Sequence, residues 1–284
     1  MKTVDTDPPL VSVVVVTHKH RPYVGRCLEA LARVRSEVPV EVMLVDNRSG
    51  DGTPELVRER FPWVRVSVRD RRRGFSNNNN FAIRQSTGRY VLLLNPDTEV
   101  RPGALRKLFD FMESHPDAGI CGAKLLYPNG TVQPSCRRFP TLASVLVRRT
   151  PARWLLRDSP ANARHLMLDR ISTSSPSEVD WLLGACLFVR RRAIRDIGPL
   201  DDGYYLYVED IDWCYRMRQG GWKVWWVPGA EIVHHHVAVS DRKLLSWHSW
   251  THFWSMVRYF RKHLLPRFLR LKPEGQRNQR ASSE

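Results

Sequence analysis

Residues 11–18 read Val-Ser-Val-Val-Val-Val-Thr-His, and this run decides the fold class of the chain. Its β-branched side chains succeed one another without polar alternation, which is typical of a parallel strand buried on both faces. Thr17 and His18 then end the run with polar groups. Because parallel strands are joined through crossover segments that are usually helical, we expect helices and strands to alternate along the rest of the chain.

That alternation continues through the first half of the sequence. Pro22 favours a helix start, and Thr53 before Pro54 is read as a helix cap. Further strands are predicted at 41–45, 64–68 and 90–94, with helices around 81–85 and from about 102 to 114. The βαβαβαβ order predicts an α/β protein with a doubly wound, mostly parallel sheet.

The second half has a looser pattern. A strand is predicted at 181–189, a helix from Glu209 to the Gly220-Gly221 stop, and two short strands at 224–227 and 230–233. A long helix at about 246–265 closes the pattern. One stripe of this helix is apolar and rich in tryptophan: Trp247, Trp250, Phe253, Trp254, Val257, Phe260 and Leu264.

Composition indicates a globular protein of the cytoplasm. Of the 284 residues 42% are hydrophobic, and no apolar run approaches the roughly 20 residues needed to cross a bilayer. Residues 1–9 lack the apolar core of a secretory signal. The five cysteines are scattered and lack metal-type spacing, so we expect buried, reduced thiols.

The formal net charge of +16 indicates polyanionic partners. Cations outnumber acids eight to two between 137 and 170, and eight to one between 258 and 280. Nucleic acid, anionic lipid and diphosphate-bearing substrates would all suit such clusters. Neither a nucleic-acid reader motif nor basic residues interleaved with aromatic ones along a groove are found, so no nucleic-acid partner is expected.

Polar residues come directly after three of the four predicted strands of the first half. They are Thr17 and His18, then Asp46 and Asn47, then Asn95-Pro96-Asp97. Ligands of open α/β sheets bind beyond the carboxyl ends of the strands. No glycine-rich phosphate loop follows any strand, so a bound diphosphate would need another counter-charge, and Asp97 stands where a carboxylate ligand of Mg²⁺ or Mn²⁺ belongs.

Two later segments add candidate site residues. Residues 207–212, Tyr-Val-Glu-Asp-Ile-Asp, put three carboxylates at a helix start, where acids also favour the helix dipole. Three acids beside an aromatic run indicate a working carboxylate among them. The histidines 234–236 follow a strand, and only His234 and His236 could share a face, so one metal ligand is favoured over a structural zinc cage.

In their order and spacing these motifs resemble the family 2 glycosyltransferases with the GT-A fold. The matching segments are 13–18, 45–53 and 94–98, and further on 181–186, 207–216 and 227–234, which look like the rhamnosyltransferase branch. The resemblance covers about residues 10–265. It departs from the usual pair of flanking aspartates, because Asn95 stands where the first would be and leaves Asp97 as the firm carboxylate ligand.

The resemblance implies a role for each matching residue. Asp210 corresponds to the catalytic general base, and Asp97 and His234 to ligands of Mg²⁺ or Mn²⁺. The implied nucleotide-binding residues are Thr17, His18, Asp46, Asn47, Gly74, Phe75, Asn79, Asn80 and Asn95. The implied sugar and acceptor pocket comprises Trp181, Gly184, Ala185 and Glu209, with Glu209 as the alternative base.

The resemblance also implies a domain division. It predicts a tail at 1–9, a catalytic domain at 10–245, a basic helical segment at 246–271 and a disordered tail at 272–284. The catalytic domain divides into a nucleotide-binding half at 10–120 and an acceptor-binding half at 121–245.

The implied reaction is inverting transfer of a sugar from a nucleoside diphosphate to an acceptor hydroxyl. Rhamnose from dTDP-rhamnose is the favoured donor, with galactofuranose or hexose donors as alternatives. A saccharide or polyprenyl-diphosphate-linked acceptor of the bacterial envelope is expected. A nucleotidyltransferase is disfavoured by the missing phosphate loop, and a non-catalytic binding protein for sugar nucleotides or polyanions stays open.

The C-terminal helix allows two interpretations. Its apolar stripe can dock on the catalytic domain, or the helix can meet anionic lipid as a peripheral element on the inner face of the cell membrane. Both interpretations can be true at once if the tryptophans pack inward while Arg258, Arg261 and Lys262 face the lipid.

Overall fold

A computed structural model describes residues 9–141, 159–171, 173–235 and 246–264. The predicted tail at 272–284, all but the last residue of the tail at 1–9, and His236 lie outside these ranges. The strands are β1 Val11–Thr17, β2 Val40–Asp46, β3 Val64–Val68, β4 Tyr90–Leu94, β5 Thr98–Val100, β6 Ala118–Leu126, β7 Val132–Gln133, β8 Cys136–Arg137, β9 Ser177–Glu178, β10 Trp181–Leu182, β11 Cys186–Arg190 and β12 Lys223–His234. The helices are α1 Arg21–Val34, α2 Thr53–Arg60, α3 Phe75–Gln85, α4 Ala104–Ser114, α5 Pro160–His165, α6 Leu168–Ile171, α7 Arg191–Ile197, α8 Glu209–Gln219 and α9 Trp247–His263.

The main sheet confirms the predicted α/β class. Its strand order is β3-β2-β1-β4-β11-β6-β12-β5. The first four strands are parallel, and each aligns with its neighbour so that their carboxyl ends share one edge. β11 runs antiparallel between β4 and β6, and β12 is parallel to β6. The sheet is therefore parallel in its first half and mixed in its second.

Helices cover both faces of the sheet because its strands are apolar on both sides. Val11, Val13 and Val15 belong to one buried cluster with α1 and α4, and Val14 belongs to the other cluster with α8. All five cysteines are free and buried, as the sequence predicted. Burial in this apolar interior raises the pKa of Cys186 to about 12.

Three local predictions were wrong. The strand predicted at 181–189 is two strands, β10 and β11, because the chain turns at residues 183–185. The two strands predicted at 224–227 and 230–233 are one, β12, with an irregularity between Val227 and Glu231. The cap of α2 is Gly52 in the left-handed conformation, so Thr53 is the first helical residue rather than the cap.

The packing of α9 corrects the expected direction of its apolar stripe. Trp247, Trp250, Phe253 and Trp254 are all exposed. The buried residues of the helix are Ser255, Met256 and Tyr259. The prediction that the tryptophans pack inward while the cations face outward is therefore wrong, since two of those cations pair with acids of the domain. Among the described residues, no helix combines the length and apolarity needed to span a membrane.

Candidate active site

The first part of the site is a buried carboxylate between β1 and β2. Asp46 ends β2 and is 1% exposed. Thr17, at the end of β1, donates its hydroxyl to Asp46 Oδ1 at 3.0 Å, and the Ser49 backbone N–H donates to Oδ2 at 2.9 Å. The Ser49 hydroxyl also donates to Asp46. Asp46 thereby fixes the loop after β2, with capacity left for another donor because a carboxylate accepts about four hydrogen bonds.

Asn47 joins the same loop to the segment before α3. Its amide donates to the Arg73 carbonyl at 2.9 Å, and its Oδ1 accepts from the Arg73 N–H at 2.8 Å. His18 contacts the Asn47 carbonyl through Nδ1 at 3.2 Å. Burial and the charge of Arg72 lower the pKa of His18, so the ring is mainly neutral near pH 7.

Gly74 and Phe75 connect this half to the loop before α8. The Phe75 N–H donates to the Tyr205 carbonyl at 2.7 Å. A Cβ on Gly74 would lie 2.7 Å from that same carbonyl oxygen, so a larger residue would push the two segments apart. The predicted nucleotide-binding segment is therefore in direct contact with the second half of the site.

Asn79 and Asn80 lie on α3 with their amides bonded within the protein. Asn79 donates to the Phe75 carbonyl at 3.0 Å. Asn80 donates to the Leu200 carbonyl and to Asp202 Oδ1, each at 2.7 Å. Both side chains are buried. These contacts position the loop around residue 200, and a direct role in nucleotide binding stays a prediction for both residues.

Asp97 and His234 meet at the next strand exit. Asp97 lies just beyond β4, and His234 ends β12 opposite Thr98 of β5. The His234 Nε2 lies 3.5 Å from Asp97 Oδ1, and both side chains are buried. His234 Nδ1 is 2.8 Å from Gln133 Oε1, which can only accept, so Nδ1 donates and Nε2 faces the carboxylate.

Asn95 links this exit to Gly184 and Asp210. The Asn95 N–H donates to the Ala185 carbonyl at 3.0 Å. The neighbouring Gly184 N–H donates to Asp210 Oδ2 at 3.0 Å, and the Ile211 N–H donates to Oδ1 at 2.9 Å. Asp210 is thus oriented by two backbone donors at the same edge of the sheet as Asp97.

The three acids of α8 differ in their pKa shifts and in their bonding partners. Burial raises the pKa of Glu209 to about 8, and the charge of Asp210 acts in the same direction. Burial raises the pKa of Asp210 as well, against the two backbone donors and the charge of Arg137, which lower it. Asp212 is fully buried and bonded to Tyr204, Arg216, Lys262 and His263, so it is structural.

The backbone just before these acids is strained. Tyr207 and Val208 have φ of 70° and 74°, a left-handed conformation that β-branched residues rarely adopt. Each such residue costs about 1–2 kcal/mol, and strain of this kind concentrates at functional sites. The strained turn leads directly into α8, where the Asp210 carboxylate accepts from the Gly184 N–H.

Sequence reasoning missed several residues that shape this site. Arg137, on β8, faces Trp181 at 5.3 Å and acts electrostatically on Asp210. Gln133 orients His234, and the Tyr205 carbonyl accepts a hydrogen bond from the Phe75 N–H. Arg137 and Gln133 belong to no motif, and Tyr205, part of the aromatic run before Glu209, acts here through its backbone carbonyl. Trp181 itself is buried, with its indole N–H donating to the Arg138 carbonyl at 2.9 Å.

The loops after β1 and β2, a buried acid–histidine pair and an oriented carboxylate therefore line one edge of an α/β sheet. The model of glycosyl transferase family 2 matches residues 12–168, more than half of the chain. The chain belongs to this family and is a glycosyltransferase with the GT-A fold.

Particular relatives narrow the comparison. The chain is 34% identical to the N-acetylglucosaminyl-diphospho-decaprenol L-rhamnosyltransferase of Mycobacterium tuberculosis, over 82% of this chain and 78% of the relative. It is 26% identical to the rhamnosyltransferase WbbL of Escherichia coli K12, over 90% and 95%. The solved mannosyltransferase PcManGT of Pyrobaculum calidifontis, in complex with GDP-Man and Mn²⁺, superposes with a TM-score of 0.58 at 21% identity. That match covers 90% of this chain and 64% of the mannosyltransferase, less than two thirds of its length.

Proposed function

We propose that this glycosyltransferase moves rhamnose, with inversion, from dTDP-rhamnose to a hydroxyl of a polyprenyl-diphosphate-linked N-acetylglucosamine. The observation that carries the proposal is the shared sheet edge of Asp46, Asp97 and Asp210. The two rhamnosyltransferase relatives support the choice of sugar, and the mycobacterial one supports the choice of acceptor. We place the enzyme on the cytoplasmic face of the membrane that holds such an acceptor.

Asp46 and Thr17 would bind the pyrimidine nucleotide at the ends of β1 and β2. Asp46 has room to accept from the base, and its contacts with Thr17 and Ser49 fix the direction of its lone pairs. Gly74 and Phe75 would close over the nucleotide while held to the Tyr205 carbonyl. Donor binding and the second half of the site would therefore be mechanically linked.

The residues at the third strand exit fit a divalent cation. Within the described ranges no group of three or more His, Cys, Asp and Glu is arranged to hold a metal ion. Asp97 and His234 would supply two ligands to Mg²⁺ or Mn²⁺, and phosphate oxygens and water would supply the others. Because Nδ1 of His234 contacts Gln133 Oε1, Nε2 at 3.5 Å from Asp97 Oδ1 is the ring nitrogen placed to bind such a cation. When bound, the cation neutralises charge on the departing diphosphate.

Asp210 would act as the general base. An acceptor hydroxyl is a weak nucleophile, so a carboxylate must remove its proton as it attacks the anomeric carbon. The Gly184 and Ile211 N–H groups hold both Asp210 oxygens in place, and the positive charge of Arg137 favours the ionised carboxylate against the effect of burial. Attack from the face opposite the diphosphate inverts the anomeric centre.

A donor panel tests the sugar. The thermal shift of the protein with Mn²⁺ is measured against dTDP-rhamnose, UDP-galactofuranose, UDP-glucose and GDP-mannose. Transfer to a short-chain prenyl-diphosphate N-acetylglucosamine is then measured by mass spectrometry. We expect dTDP-rhamnose to give both the largest shift and a product one deoxyhexose heavier. A hexose-sized mass increase, or a larger shift with another donor, contradicts the rhamnose assignment.

A further inference from the structure

The outer side of α9 carries exposed aromatic side chains. Trp247 and Trp250 are each 54% exposed, Trp254 is 61% exposed and Phe253 is 43% exposed. Single apolar residues on a surface need no explanation, but a contiguous exposed patch marks an interaction site. These four side chains lie within eight residues of one helix, so they form such a patch.

Tyr205 extends the patch onto the catalytic domain. Its ring is 40% exposed and meets Trp247 edge-on at 5.6 Å. Phe253 contacts Trp250 at 6.1 Å and Trp254 at 5.4 Å in the same geometry. We name Tyr205, Trp247, Trp250, Phe253 and Trp254 the aromatic surface.

The inner side of α9 holds the helix firmly to the domain. Arg258 and Lys262 pair with Asp201 at 3.0 and 2.7 Å, and His263 contacts the buried Asp212 at 2.7 Å. These cations thus point toward the protein and the tryptophans point away from it. The aromatic surface is consequently presented on a braced helix.

The chemistry of the surface favours lipid as its occupant. It contains tryptophan, phenylalanine and tyrosine without leucine, isoleucine or valine, a composition typical of the headgroup layer of a membrane. Arg261, on the same helix, is exposed, and the sequence from 263 to 280 adds five cations and one acid. Basic residues beside such a helix attract anionic lipid.

We propose that the aromatic surface inserts into the headgroup layer of an anionic membrane and sets the active site beside it. Tyr205 lies on the loop that leads to Asp210, and its carbonyl receives the Phe75 N–H. Tyr207, on the same loop, contacts His248 of α9 at 3.2 Å. Membrane contact is inferred from the exposure of these side chains; its use for delivering the acceptor rests on the proposed function.

Vesicle binding tests the surface without any substrate. Binding of the full chain to phosphatidylcholine vesicles, with and without phosphatidylglycerol, is measured by cosedimentation. We expect the affinity of the double variant Trp250→Ser/Trp254→Ser for the vesicles to be at least about tenfold lower, because two half-exposed indoles no longer enter the lipid. Leu168→Ser, which removes another exposed apolar side chain (42% exposed), is the matched control and should bind like the wild type.

Fluorescence separates insertion from attraction by charge. Brominated lipid should quench the wild type, and Trp250→Phe/Trp254→Phe should keep vesicle binding while losing much of that quenching. The proposal is overturned if the serine variant binds vesicles like the wild type. It is also overturned if the chain forms a dimer without vesicles and the same substitutions abolish that dimer, because a second copy would then cover the surface. Thermal melting checks that both variants fold.

Discussion

Replacing Asp210 with asparagine separates the proposed base from the rest of the site. The side chain keeps its shape but can no longer take a proton. General base catalysis contributes about 10²–10⁴-fold to rate, so kcat should fall by that factor, equivalent to about 3–5.5 kcal/mol in the barrier. Donor affinity should change little, because Asp46 is held by Thr17 and Ser49, and Asp97 lies against His234, so the proposed donor contacts do not rest on Asp210.

The structure also sets the effect of this change on stability. Both oxygens of Asp210 accept from backbone N–H groups, of Gly184 and Ile211, and asparagine offers only one acceptor. One donor therefore loses its partner, which costs about 1–3 kcal/mol. Burial disfavours the ionised Asp210 carboxylate and raises its pKa, so replacing it with a neutral amide offsets part of that loss.

The assay needs a control acid that also accepts from backbone N–H groups on both oxygens. Asp51 accepts from the Arg21 N–H on Oδ2 and from the Thr53 N–H and hydroxyl on Oδ1, outside the proposed chemistry. Asp51→Asn should lose comparable stability and keep its turnover. Release of free nucleoside diphosphate in the presence of acceptor gives kcat and KM, and calorimetry gives donor affinity. Turnover of Asp210→Asn near the wild-type value would remove this residue from the role and leave Glu209 as the candidate.

Three further predictions concern neighbouring residues. The pKa of Glu209 is about 8 in the folded protein, above its value in the unfolded chain. Between about pH 4.5 and 8 the folded protein therefore binds more protons at Glu209 than the unfolded chain, and the free energy of unfolding falls as pH rises through that window. Glu209→Gln should remove this loss and raise Tm above the wild type at pH 8.5, measured by calorimetry; an equal or lower Tm there would contradict the burial argument. Arg137→Gln removes a positive charge that lowers the pKa of Asp210, so the acidic limb of kcat/KM should move to higher pH, and an unmoved limb counts against this electrostatic effect. Gln133→Leu leaves the His234 Nδ1 without its acceptor and should weaken Mn²⁺ binding about 10–100-fold in a calorimetric titration with nucleotide; unchanged affinity would separate His234 from the metal.

The strands of the first half of the chain were predictable because each is a short apolar run ended by polar residues. The predicted 64–68 and 90–94 are the observed β3 and β4, and 41–45 grew by one residue at each end. The polar strand exits then share one edge from parallel topology alone. Local sequence is enough here, since burial on both faces leaves few ways to arrange such strands.

The direction of α9 was not predictable from its periodicity. A helical stripe shows that apolar residues share a side, but not whether that side meets protein or solvent. The buried side proved to depend on Met256, Tyr259 and on ion pairs with Asp201 and Asp212, which lie more than 40 residues earlier. Arg137 escaped notice for the same reason, because its effect on Asp210 exists only after β8 and β10 pair.

The loop before Asp210 has two unfavourable local features, a strained backbone and a buried polar atom without a hydrogen-bond partner. The contacts around the loop explain why this conformation is stable. Val208 is left-handed, and the adjoining Glu209 is buried with one oxygen lacking a hydrogen-bond partner. Together these cost several kcal/mol, on the order of 1–3 for each feature. The compensation lies one turn further on, where Asp212 binds Tyr204 before the loop and His263 of α9 beyond it. The helix that carries the aromatic surface therefore also braces the strained turn, because His263 of that helix holds the Asp212 carboxylate in place.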